Sequence, residues 1–110
     1  MKLPNSDRAI VDIAKLRDYC LNTTHHRGRH KARVFAAALG LTAEDAEQLQ
    51  ATLLNAAQSY DVTPTDETEF GQLYVLDFPI IGSTGQVIVR SSWIVRHGED
   101  FPRLTSCYVL

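Results

Sequence analysis

Three features of the chain predict an α+β domain. Apolar residues recur at helical spacing through the first half, whereas after Asp61 the period falls to two and Gly and Pro punctuate short β-branched and aromatic runs. No repeat, low-complexity tract or linker divides the 110 residues, so a single domain, 1–110, is expected. Helices segregated from strands pack as one layer on one sheet face. The expected architecture is about three N-terminal helices on a C-terminal four-stranded antiparallel sheet.

The elements follow in order. In "DIAKLRDYCL", Asp12 is a plausible N-cap and Ile13, Leu16 and Cys20 fall at i, i+3, i+7, which describes a short helix burying one stripe. "TTHHRGRHKARVF" then turns from loop into a second helix, where Ala32, Phe35, Ala36 and Leu39 share a face and Gly40 supplies the stop. Thr42, with Asp45 three residues on, opens a third helix by a variant of the capping box. Its apolar face is Ala46, Leu49, Leu53, Ala56, Ala57 and Tyr60. Strands are expected at about Val62–Glu67, Gln72–Phe78, Gln86–Arg96 and Arg103–Val109, with "GSTG" and "HGED" as turns. In the third, Val87, Val89, Ser91, Trp93 and Val95 share one face. Ile88, Arg90, Ser92, Ile94 and Arg96 share the wetter one.

Composition excludes several classes. Hydrophobic content of 45% with 22% charged residues suits a modest packed core. No segment approaches the roughly 20 apolar residues that span a bilayer, and residues 1 to 12 lack a signal-peptide run, so a cytoplasmic protein with no membrane partner is expected. Cys20 and Cys107 read as two small buried residues and not as a disulfide framework. A net charge of −2 argues against a surface that binds nucleic acid all over. Arg27, Arg29, Lys31 and Arg33, however, form one dense basic cluster, the obvious docking place for a polyanion.

That cluster opens a helix, where the dipole disfavours cations. His26, Arg29, His30 and Arg33 would form one stripe, and free N–H groups among Arg, Lys and His suit an anion such as phosphate. A solvated basic face explains the same spacing. His26 and His30 at i, i+4 could share a zinc ion with His25 beside them, but no third ligand stands at a diagnostic spacing, so neither metal nor cofactor is expected. Ser91, Ser92, Ser106 and Cys107 lack any activating nucleophile motif. Trp93, Tyr74 and Phe78 could stack on bases, although strand aromatics usually pack in cores. His97, beside Gly98, reads as a turn residue.

"KLRDYCLNTTHHRGRHKARVF" and "WIVRHGEDFPRLTSCYVL" resemble the two halves of a bacterial domain family of unknown function. Its members read Lys-Leu/Ile-x-x-Tyr-x-Leu, His, Gly, Lys-Ala and Phe, then Trp-Ile-Val, a turn and Pro-Arg-Leu-x-Thr-x-Tyr. "LPN" at the start agrees as well. Members tend to be encoded beside an antitoxin-like gene or to form tail domains of larger toxins, and the family looks similar to the barnase/EndoU/colicin/RelE group of metal-independent ribonucleases. Carried over by position, the family histidine falls on His25, its glycine on Gly28, its Lys-Ala on Lys31 and Ala32, and its last strand on Arg103, Leu104, Ser106 and Tyr108. Three positions depart: His26 stands where many relatives have proline, Ser106 where threonine is usual, and Val109 where a terminal proline is.

The resemblance implies cleavage of RNA by its own 2′-hydroxyl, which needs a base, an acid and cationic donors but no protein nucleophile. His25 would be the base or acid and His30 a spare. Lys31 and Arg103 would stabilise the phosphorane, Ser106 and Tyr108 would position it, and Arg27, Gly28, Arg29, His30 and Arg33 would grip the RNA. A cognate antitoxin protein would be the partner. The competing expectation is a non-catalytic module that holds nucleic acid or an acidic protein surface with the same loop. The enzyme reading demands that the loop face the closing strand.

Overall fold

The computed structural model describes residues 1–82 and 85–110 and has the expected α+β architecture. The "GSTG" turn therefore falls partly outside the described residues, at Ser83 and Thr84. After a 3-10 turn at Ser6–Arg8, helix α1, Ile13–Lys15, runs directly into a π-helical turn, Leu16–Cys20. Asp12 caps it as expected, its carboxylate accepting from Ala14 N at 2.9 Å. Helix α2 is Arg29–Leu39, stopped by Gly40 in the left-handed region at φ 68. A 3-10 turn, Ala43–Asp45, leads into α3, Ala46–Ser59, and the Thr42 N–H donates to the Asp45 carboxylate at 2.9 Å.

The π-turn is the main departure in this half. Leu21 N bonds back to Leu16 O at 2.8 Å, one residue further than an α-helix reaches. The wider turn sets Leu16, Cys20 and Leu21 all in the core and leaves Tyr19 half-buried at its rim.

Strands β1 (Thr63–Thr68), β2 (Gly71–Gly82), β3 (Gly85–Arg96) and β4 (Pro102–Val109) form an antiparallel meander in the order β1-β2-β3-β4. Strand β2 runs four residues past the expected end, through Pro79. Its pairing with β1 ends at Val75, so Pro79 has a neighbour on the β3 side only. There the missing N–H breaks no second ladder.

The helices cover one sheet face. Trp93, Phe35, Leu16, Leu49, Leu53, Leu76 and Val89 are fully buried between the layers. Within this core, Trp93 Nε1 donates to Ser91 Oγ at 2.9 Å, and Ser91 Oγ donates to Leu76 O at 2.8 Å. Tyr60, expected on the buried face of α3, instead ends that helix 40% exposed, its ring against Phe78. Strand β4 is an outer strand whose first residues are flanked by Ile10, which bonds to Pro102 O and from Leu104 N. Beyond Leu104 its edge faces the π-turn and α2.

Candidate functional site

The loop before α2 is built by two side chains that imitate backbone turns. Asn22 Oδ1 accepts from Thr24 N and Oγ1, at 2.9 and 2.7 Å. His25 then closes the turn that leads into α2: its Nδ1 accepts from both Arg27 N and Gly28 N at 3.1 Å. With Nδ1 engaged as an acceptor, the network assigns the proton of the neutral ring to Nε2. The ring also meets Tyr19 edge-on, with centroids 4.7 Å apart. Gly28 is buried, and a Cβ there would stand 2.8 Å from Tyr19 O, so only glycine lets the loop lie this close to the π-turn.

Lys31, on the first turn of α2, places Nζ 4.1 Å from the centre of the Tyr108 ring. Tyr108 belongs to one rung of the sheet, Asp77, Arg90 and Tyr108 across β2, β3 and β4, on the face that carries no helices. Arg90 grips both Asp77 oxygens at 2.9 Å. The Asp77 hydrogen bonds, first among its partners, hold Arg90 above its ordinary pKa. Because β4 is an outer strand, Lys31 reaches Tyr108 around the open edge.

Between the start of the first helix and β4 lies a cleft of about 540 Å³ lined by Asp12, Ala14, Lys15, Tyr19, Thr105 and Ser106. A β-bulge shapes its far wall. Ser92 pairs with Ser106 but Trp93 with Leu104, so Thr105 is the extra residue, and its hydroxyl bonds Ser92 O at 3.1 Å. Strict alternation from Leu104 would bury Ser106; the bulge brings it to the cleft and returns Cys107 to the core.

The remaining residues singled out from the sequence are dispersed. Arg103 sits nearer the start of β4, its guanidinium bidentate on Glu99 at 3.0 and 2.9 Å and stacked over Phe101, and it does not line the cleft. Arg29 folds back onto the His26 carbonyl, so the supposed stripe of His26, Arg29, His30 and Arg33 is not one free face. Arg27, His30 and Arg33 are exposed. Among the nucleophile and stacking candidates, Ser91, Cys107, Trp93 and Phe78 are buried and structural, and Tyr74 packs on the core. His97 lies in its turn with Nε2 on Thr68 O. Among the described residues, no three His, Cys, Asp or Glu side chains are grouped as metal ligands would be.

Two residues of the cleft, Lys15 and Tyr19, carried no role in the sequence reading. Their i, i+4 spacing lies inside the motif "KLRDY", which was the available signal. Lys15 is half-buried with Nζ 3.5 Å from Leu104 O, so a cation stands between the π-turn and β4.

No curated protein matches the sequence. The family model for a domain of unknown function, DUF6883, matches residues 2–110, from the segment that flanks β4 through both walls of the cleft, and the chain belongs to that family.

Proposed function

We propose that the chain is a small toxin-type ribonuclease that cleaves RNA by metal-independent attack of the 2′-hydroxyl on the adjacent phosphate. The observation that carries this reading is the Lys31–Tyr108 contact, which brings a cation of the basic loop onto the closing strand beside Ser106 and the cleft. A strand of RNA with its phosphate between Lys31, Ser106 and the His25 Nε2–H would meet donors from both walls. Lys15 and Tyr19 would line the neighbouring nucleotide's place. A cognate antitoxin would cover the same basic surface, and cytoplasmic RNA would be the substrate.

Proton transfer sets a condition on this mechanism. As base, His25 needs a lone pair on Nε2 and hence a proton on Nδ1; as acid it carries protons on both nitrogens. Either role therefore releases the two N–H bonds that hold the turn before α2. Two net hydrogen bonds cost roughly 1–3 kcal/mol, whereas a positioned general acid or base contributes about 10²–10⁴-fold, or some 3–5 kcal/mol. Catalysis through a loosened loop remains favourable on that balance.

The occupied Nδ1 also favours a second reading, a module that binds RNA without cleaving it, with His25 holding its turn and donating only. Labelled RNA incubated in EDTA with the wild type and with a His25→Ala, Lys31→Ala double variant separates the two. Cleavage lost in the variant supports the enzyme; binding by the wild type with no cleavage supports the module.

A further inference from the structure

Phe70 is 68% exposed and takes no part in the core, yet its place is firmly fixed. It stands in the turn between β1 and β2, where the Thr68 hydroxyl accepts from Phe70 N and donates to Gly71 O, both at 3.1 Å. His97 clamps the same turn from the end of β3, its backbone N–H donating to Phe70 O and its Nε2–H to Thr68 O, again at 3.1 Å. Gly71, at φ 152, lies so close to β3 that a Cβ would run into Val95 O. A lone exposed apolar residue is ordinary; this one walls a groove. The groove, of about 540 Å³, lies against the helix-free sheet face and is lined by Glu69, Phe70, Ile94, Arg96, His97 and Thr105. Thr105 also lines the cleft beside Ser106, so the bulge residue is the ridge between two adjoining depressions. Taking that cleft as an RNA site, we propose that the groove is a second nucleobase subsite for the same single strand, with Phe70 as its stacking platform.

The lining selects a base over other occupants. Every base offers a π face, and an aromatic ring held open to solvent on an ordered turn receives it without first being rearranged. Half-buried Ile94 supplies an apolar floor, and Arg96 is exposed and makes no ion pair among the described residues. Glu69 is the single carboxylate of the lining, and it offsets Arg96. A groove with so little net charge suits a neutral ring better than a run of phosphates, whose hold belongs to the basic loop at the other end of the strand's path. A strand that leaves the cleft past Thr105 enters the groove without crossing the helical layer. Stacking on Phe70 would then add affinity that salt does not screen, while Arg27 and its neighbours supply the part that salt does.

The test titrates the whole chain, by fluorescence anisotropy, into a single-stranded 2′-O-methyl oligoribonucleotide of about eight residues, which its own 2′-oxygen cannot cleave. Phe70→Ala lies outside the core and should leave the melting temperature unchanged while weakening binding about 5- to 150-fold, the range for loss of one base–aromatic stack. Phe70→Trp should bind at least as well as the wild type. Phe70→Leu, apolar but without a π face, should bind as poorly as Phe70→Ala. Phe70→Ala should also preserve the slope of log affinity against log salt, whereas Arg27→Ala should lower it by about one. Equal binding by the wild type and Phe70→Ala overturns the subsite and leaves the RNA reading of the cleft standing. Wild-type affinity in Phe70→Leu overturns stacking as its basis. If the wild type binds neither this strand nor unmodified RNA of the same sequence, both readings fall. Dimers of the wild type that Phe70→Ala abolishes, with RNA affinity unchanged, would assign Phe70 to self-association instead.

Discussion

Lys31 of α2 stands over the ring of Tyr108 on β4 at 4.1 Å, the one cation–π contact that ties the basic loop to the closing strand. It is a contact between an exposed ammonium and a half-buried ring, worth about 0.5–1 kcal/mol to the fold. Its weight for function is larger, because it fixes where the ammonium points.

Lys31→Met therefore should shift the urea midpoint little, by less than about 1 kcal/mol, while RNA cleavage should fall by about 10²-fold or more if the ammonium stabilises charge on phosphorus. Gel assays of labelled RNA and equilibrium unfolding on the same preparation check both halves.

His25 is expected to show two separable losses. His25→Ala removes both hydrogen bonds that close the turn before α2 and should cost about 1 kcal/mol. His25→Asn puts an amide oxygen near the place of Nδ1 and should recover most of that stability, yet it supplies no imidazole for proton transfer. If His25→Asn cleaves RNA as fast as the wild type, the histidine only holds its turn and donates.

At Gly28, a methyl group would press on the Tyr19 carbonyl at 2.8 Å. Gly28→Ala should destabilise by about 1–3 kcal/mol as an overpacked contact and should push the loop off the π-turn, weakening RNA binding even where the protein remains folded. Thermal melts with anisotropy titrations test this.

Ser91→Ala should behave oppositely. Trp93 Nε1 would lose its acceptor and Leu76 O its donor in the core, at a cost of about 1–3 kcal/mol, with RNA binding per folded molecule unchanged.

Acid should weaken the end of the sheet away from the cleft. Arg103 hydrogen bonds hold Glu99, and Arg8 hydrogen bonds hold Asp100, below their ordinary values of 4.5 and 3.8. A carboxylate depressed in the folded state adds stability that is complete above its unfolded value and is lost as pH falls through the folded one. Unfolding midpoints should thus hold steady from neutrality and decline once the pH drops below about 4.5. The effect should be modest in salt, since these pairs lie on the surface, and smaller in Glu99→Gln.

Much of the fold was legible because it rests on local periodicity. The Asp12 cap, the Gly40 stop, the Thr42–Asp45 box and the alternation of β3 are settled within a few residues of chain, and each holds in three dimensions. The π-turn was not legible, since Leu16 and Cys20 fit an α-helical stripe equally well; the extra residue per turn depends on the core that receives Leu21. The reach of β2 through Pro79 depends on how far β1 extends beside it. The bulge at Thr105, which decides whether Ser106 faces the cleft or the core, is a matter of pairing between strands.

For the site, sequence alone determined which residue types were gathered: a basic loop carrying His25, Gly28 and Lys31, and a closing strand carrying Arg103, Ser106 and Tyr108. Only the tertiary structure decided who meets whom. It brings Lys31 to Tyr108 and sets Lys15 and Tyr19 beside Ser106, spends the His25 lone pair on two backbone N–H groups, and leaves Arg103 with Glu99. The reason is physical: residue type and spacing fix what chemistry a segment can offer, but distances between segments are set by how the helical layer and the sheet close over a common core.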